Sequence, residues 1–362
     1  MRTNKRHLAW LVAVLAVFTL VAGACSSDDD GGTTSASDGG ETGTDAGGEE
    51  VSGEVVISGS STVQLISVAV AEAFAEVSPD VLVNVDGPGT SDGFELFCAG
   101  ETDINNASRP IKEPELTACD DNGVEFIELE VAFDGVTVMT NPANEAVECL
   151  STTDLYALTG PESEGFENWN SASDLAAELG SDTEFPDASF DMTAPGEESG
   201  TYGAYIELGT LETAEAQVEA GAIEEDVAET LRADYTTQAN DNAIITAVEG
   251  SDSAFGFTGF AFAEEAGDAI RELEISGADG TCVAPSVETI ADGSYPLSRS
   301  LYIYVNAATA ADSAALSAFV DYYIGDGLAL VSDVGYVDLP EDRVATTTEV
   351  WGAKTTGTTA GG

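Results

Sequence analysis

Three short segments close a strand-like run with glycine and hydroxyl residues and then open a helical one. They are Gly59-Ser60-Ser61-Thr62-Val63, Gly87-Pro88-Gly89-Thr90-Ser91-Asp92-Gly93 and Pro195-Gly196-Glu197-Glu198-Ser199-Gly200-Thr201. Such a turn presents unpaired backbone N–H groups and hydroxyl donors at the positive end of a helix. Two or three of them converging make an anion site that needs little formal positive charge. Singly, each reads as a helix N-cap. None has the Gly-Lys-Ser/Thr ending of a phosphate-binding P-loop. Their weight comes from recurring in a chain almost without cations.

The 362 residues hold 10 Lys+Arg against 67 Asp+Glu, a formal net charge of −57. That field repels nucleic acid and gives no electrostatic hold on anionic lipid. It fits a saline habitat, where ions screen self-repulsion, and it fits a plain solubility bias as well. The only histidine is His7, in the leading segment. The rest of the chain therefore cannot assemble a Ser-His-Asp triad, a Cys-His pair, a His-ligated zinc or a histidine acid–base. Asp-based metal sites remain conceivable, but the binding loops contain no tight Asp-x-Asp spacing. The expectation is a binding protein with no cofactor, no metal and no catalytic residue.

The elements that must position these turns alternate. Residues 54–58 (EVVIS) and 81–86 (VLVNVD) read as strands around an amphipathic helix that ends near Val77, before Ser78-Pro79. A short helical stretch is expected at 94–99, a third strand at 102–107, a strand at 190–193 and a helix from Tyr202. Asn240-Asp241-Asn242 caps a helix running through Glu249, and 254–257 is strand-like again. This alternation predicts an α/β architecture. Tyr202, Phe257 and Tyr302 are expected in the core.

Residues 1–25 read as an export signal: Arg2, Lys5 and Arg6 precede an apolar run at 8–20, then Ala22-Gly23-Ala24 and Cys25. Small residues before a cysteine resemble the bacterial lipoprotein signal, in which that cysteine carries the lipid. Ordinary cleavage beside an incidental cysteine is the alternative. Residues 26–50 contain nothing that buries apolar surface and read as a disordered tether. Four cysteines follow. An even number in an exported chain favours two disulfides, and proximity in sequence pairs Cys98 with Cys119, leaving Cys149 with Cys282.

Gly59-Ser60-Ser61-Thr62-Val63, Gly89-Thr90-Ser91-Asp92-Gly93-Phe94, Ala107-Ser108-Arg109-Pro110-Ile111 and Glu198-Ser199-Gly200-Thr201-Tyr202, in that order, resemble the phosphate-binding proteins of bacterial ABC transporters, PstS type. Tyr295-Pro296-Leu297-Ser298-Arg299, followed by Leu301 to Val305, resembles a later core strand region of that family, so the likeness spans about residues 54–351. The resemblance implies a two-lobed type II periplasmic-binding-protein fold with the ligand in the cleft. Lobe one would be residues 51–140 with 256–352, lobe two 141–255, and 353–362 a disordered tail. It also implies a monomeric receptor outside the cytoplasmic membrane or in the periplasm. Held by its lipid anchor, the receptor would pass inorganic phosphate to a permease. A receptor for another oxyanion, or an acidic adhesion or cation-binding protein, would be the alternatives.

Carried over by motif, the phosphate shell would take Ser61, Thr62 and the Val63 N–H, Thr90 and Ser91, Ser108 and Arg109, and Ser199, Gly200 and Thr201. Many members carry an arginine four positions before the Ser-Gly-Thr serine, where this chain has Pro195, and an aspartate where it has Arg109. Arg109 is therefore expected to supply the missing cation as a bidentate fork. Asp92 and Asp134 are the candidates to accept the proton that phosphate retains and sulfate lacks. Asn240 and Asn242 read more simply as caps than as ligand-facing groups.

Overall fold

Val55, Val56 and Ile57 give the first ordered segment a β-branched run, and it forms strand β1 (Gly53–Gly59). The computed structural model describes residues 51–145 and 147–359. The expected signal, tether and Cys25 lie outside the described residues. Helix α1 (Ser61–Val77) turns Val63, Ile66, Val70 and Phe74 inward at helical spacing. It stops at Ser78, before Pro79. Strand β2 (Val81–Val85), helix α2 (Thr90–Cys98), strand β3 (Ile104–Ala107) and helix α3 (Glu113–Asn122) follow. Helix α2 begins at Thr90, earlier than the expected 94, so Thr90, Ser91 and Asp92 form its first turn rather than a loop.

Strand β4 (Phe126–Thr140) is 15 residues long and buried almost throughout. The later strands are β5 (Cys149–Ser151), β6 (Asp191–Ala194), β7 (Thr236–Thr237), β8 (Ala254–Gly259), β9 (Arg271–Glu272), β10 (Glu274–Ser276), β11 (Cys282–Val283) and β12 (Ser298–Asn306). The main sheet runs β2-β1-β3-β12-β4-β8-β6-β7, with β9 also on β4; β11-β10-β5 form a separate small sheet. Strand β4 changes partner along its length. Phe126 to Gly135 pair antiparallel with β12, and Val136 to Thr140 pair antiparallel with β8.

Two main cores correspond to those two halves. One gathers Val55, Ile57, Val63, Leu129, Ile303 and Phe319; the other gathers Val136, Val138, Leu155, Trp169, Phe255, Ile275 and Leu297. Residues such as Phe260, Leu273, Ile290 and Tyr295 belong to the second. This differs from the expected return to the first lobe at residue 256. The chain re-enters the first core only along β12, because β8 completes the sheet of the second half instead of leaving it.

Both disulfides form as paired in the sequence reading, Cys98–Cys119 and Cys149–Cys282. The second ties β5 to β11 across β10. Tyr202, Phe257 and Tyr302 are buried, Phe257 stacked on Tyr205 with ring centroids 3.9 Å apart. The expected frayed tail is a correction. Gly357 N–H donates to Phe126 O at 2.9 Å, and Thr359 donates through its N–H and hydroxyl to the buried Glu128 carboxylate at 2.8 and 3.0 Å. Composition suggested fraying, but a buried carboxylate needs donors, and the tail supplies them.

Each of the five arginines among the described residues is ion-paired: Arg109, Arg232, Arg271, Arg299 and Arg343. Carboxylates far outnumber these cations, and most of those described lie at or near the surface. Raising NaCl from about 0.1 M to about 1 M shortens the Debye length from roughly 10 Å to 3 Å. The thermal midpoint is expected to rise over that range; a flat or falling midpoint in a calorimetric scan would show that self-repulsion does not limit stability.

Candidate functional site

The starts of α1, α2 and the helix Gly200–Tyr205 meet where the two cores face each other. At α1, Ser60 donates its N–H to Asn106 O at 2.8 Å, and its hydroxyl accepts from Val63 N–H at 3.4 Å. Helix geometry leaves the N–H groups of Ser61 and Thr62 facing outward, whereas Val63 N–H, expected to face the ligand, is taken by the cap. At α2 the cap is Gly89, with no side-chain bond to the first turn. The Thr90 hydroxyl lies 3.1 Å from the Ser108 hydroxyl and accepts from Ser108 N–H at 3.2 Å, joining α2 to the end of β3. From the other half, the Ser199 hydroxyl accepts from Thr201 N–H at 3.2 Å. That helix starts at Gly200, two residues before the expected Tyr202, and continues through a π-helical segment, Ile206–Thr210.

Glycine is required at one of these contacts, and a second is a close approach. A Cβ on Gly93 would sit 2.1 Å from Asn105 Oδ1 and 2.4 Å from Gly59 Cα, so the first turn of α2 rests directly on the end of β1. A Cβ on Gly200 would lie 3.3 Å from Tyr336 Oη and 3.6 Å from Thr62 Cα, which puts the Ser-Gly-Thr turn against α1.

Two adjoining cavities result. One, of about 290 Å³, is walled by Ser60, Ser61, Thr62, Thr90 and Ser108, with Glu197, Glu207 and Glu229 opposite. The other, of about 400 Å³, is walled by Asp134, Ser199, Gly200, Thr201, Asp241 and Tyr336, and it shares Ser61 and Glu197 with the first.

Arg299 stands between them. It lies directly opposite Asp134 in the β12–β4 register, so strand pairing alone sets the two side chains together. Arg299 Nε donates to Asp134 Oδ2 at 3.1 Å, Nη2 donates to Thr62 Oγ1 at 3.2 Å, and Nη1 donates to Glu207. Burial works against the Arg299 charge, but Asp134 and Glu207 outweigh it and push the group further up. Burial likewise pushes the Asp134 carboxyl above the usual carboxylate range, and Arg299 draws it part of the way back. Side-chain exposure is 11% for Arg299, 6% for Asp134 and 52% for Glu207.

Arg109 stands elsewhere. Its guanidinium forks onto Glu115 at 2.7 and 2.9 Å, and Nη2 donates to Ser91 Oγ at 2.9 Å. Glu115 also accepts from Lys112 N–H at 2.7 Å at the start of α3. The fork expected for an oxyanion is thus occupied by a neighbouring helix cap, with Ser91 drawn outward beside it. Neither residue lines either cavity. Asp92 is exposed on the first turn of α2 and is also outside them, whereas Asp134 lines the second. Asn240 caps the helix Asp241–Glu249, accepting from Ala243 N–H at 3.2 Å, and Asn242 is exposed. Sequence reasoning missed Arg299, Glu207 and Glu197. Arg299 is one of few cations and closes the Tyr295-Pro296-Leu297-Ser298-Arg299 segment.

Residues 44–326 match the family model of the PBP superfamily domain. Protein SphX of Synechocystis sp. is 36% identical over 297 residues, covering 81% of this chain and 80% of that one. Phosphate-binding protein PstS of Staphylococcus saprophyticus is 31% identical over 289 residues, covering 80% and 81%. Among solved structures, a possible phosphate binding protein from Planctomyces limnophilus aligns with a TM-score of 0.73 at 31% identity, over 84% of this chain and 99% of that one. An ABC-type phosphate transport receptor from Vibrio cholerae shares the fold, with a TM-score of 0.54 at 22% identity over 79% and 100%.

Proposed function

The chain belongs to the PBP superfamily as a PstS-type phosphate-binding protein with the two-lobed type II fold, and from that membership we propose how it works. It is an extracytoplasmic receptor that binds inorganic phosphate and delivers it to an ABC-transporter permease. The observation that carries the site is a largely buried arginine, Arg299, whose side chain is 11% exposed and which strand register brings to where the donor turns of both halves meet.

In this reading phosphate sits against Thr62, Thr90 and Ser108. It takes the open N–H groups of the α1 and α2 starts and the Nη1 edge of Arg299. Ser199, Gly200 and Thr201 approach from the other half and complete the shell on closure. Asp134 holds the opposite edge of Arg299 and accepts the ligand's proton. Ser61 contributes its N–H, while Arg109, Ser91 and Asp92 stay outside the shell. The protein does no chemistry of its own and acts as a monomer, its lipid on Cys25 and residues 26–50 tethering it to the outer face of the membrane. The two cores support lobes divided near Phe133 and Ser298.

Calorimetric titration of a soluble form with phosphate and then sulfate tests the reading. One saturable phosphate site, nearly silent to sulfate, is expected; absence of phosphate binding would move the ligand to another oxyanion. Asp134→Asn is expected to admit sulfate. A carboxylate facing a fully deprotonated oxyanion leaves two acceptors without a hydrogen, and an amide removes that mismatch. Equal losses for both oxyanions in this variant would reduce Asp134 to a positioning residue for Arg299.

A further inference from the structure

The guanidinium of Arg299 already carries two carboxylates, and they differ in kind. Asp134 is fixed by strand pairing and buried. Glu207 reaches across from the π-helical segment Ile206–Thr210 with half its side chain in solvent. Arg299 Nη1 donates a hydrogen bond to Glu207 Oε2. Thr62 and Glu207 form part of the wall of the 290 Å³ cavity, whereas Arg299 does not: Glu207 covers it.

We propose that Glu207 is an affinity-setting residue of the anion site, a displaceable cover whose carboxylate holds on Arg299 Nη1 the place that a phosphate oxygen takes. This rests on the phosphate reading above. A dianion cannot simply add to a cation already facing two carboxylates, so it enters by exchange with the half-exposed one. The exchange favours an oxyanion that also accepts from Thr62, Thr90 and Ser108. It disfavours a small monovalent anion, which gains Arg299 alone and must outcompete a carboxylate tethered at high effective concentration. In saline surroundings such a cover keeps chloride off the cation.

If Glu207 leaves Arg299 uncovered about a tenth of the time, apparent affinity is reduced about tenfold. Glu207→Ala and Glu207→Gln are therefore each expected to tighten phosphate binding by about that factor in calorimetric titration. Phosphate binding in both variants is expected to become more sensitive to chloride than in the unaltered protein. Loss of a merely structural contact would weaken binding or leave it unchanged. Glu197→Gln removes the same charge from the same wall without touching Arg299, and a clearly smaller gain is expected there. Equal gains in the Glu197 and Glu207 variants would reduce the effect to the general field and overturn the proposal. Unchanged or weaker phosphate binding in the Glu207 variants, with a working site in the unaltered protein, overturns it alone. Absence of phosphate binding in all forms overturns the phosphate reading with it.

Discussion

Arg299→Ala is expected to weaken phosphate binding by about 2–5 kcal/mol, roughly thirtyfold to several-thousandfold. The loss follows from geometry: this guanidinium bonds Thr62 on one lobe's helix start and Glu207 on the other side, and among the described residues no other cation bonds a residue that walls either cavity. Its removal also leaves the buried Asp134 carboxylate without its partner, which destabilises the fold. Calorimetric titration should therefore be run well below the variant's own thermal midpoint. Arg299→Lys adds a discriminating case. It keeps a positive charge but cannot present three edges to three partners, so it is expected to recover only part of the affinity. Arg109→Ala is the contrast, since that fork is closed onto Glu115; near-normal binding is expected. A strong loss with Arg109→Ala and none with Arg299→Ala would reverse the assignment of the cation.

Gly93→Ala carries the next largest effect, on the fold that builds the site. The new methyl would meet Asn105 Oδ1 at 2.1 Å and Gly59 Cα at 2.4 Å. The second neighbour is backbone and cannot rotate away. Overpacking of a tight core usually costs about 1–3 kcal/mol, and contact with fixed backbone puts this case at about 3 kcal/mol or more. Denaturant unfolding should show the midpoint falling with little change in slope. Because α2 would have to lift off β1, phosphate affinity should fall as well, through the displaced Thr90. Unchanged stability would mean that the close approach of α2 to β1 is not a constraint.

Much of this was legible beforehand, for local reasons. Ser60, Ser199 and Asn240 cap helices where their types predicted caps, and the strands at 54–58 and 81–86 are set by β-branched runs. The cysteine pairing followed from count and proximity. Arg109 lines neither cavity, although it adjoins Ser108, which lines one: adjacency in the chain is not adjacency at the cavity. The bend at Ser108-Arg109 sends its side chain instead to Glu115, six residues on. Arg299 and Asp134 are 165 residues apart, and only the antiparallel register of β12 on β4 makes them neighbours. The docked tail was hidden for a similar reason. Nothing in a Thr/Gly run announces that Glu128, 231 residues earlier, lies buried and needs its donors.

The ion pair also sits at a mechanically special place. Strand β4 hands over from β12 to β8 between Gly135 and Val136, one residue beyond Asp134, and Arg299 is the second residue of β12. If one half swings on the other about this crossover, as the proposed closure requires, both charges lie at the fulcrum and the Ser-Gly-Thr turn rides on a lever arm. In a rotation, displacement grows with distance from the axis. The charged seat thus keeps its shape through opening and closing, and only the outer donors travel. In the proposed receptor, capture would then be available in either posture, with release governed at the rim.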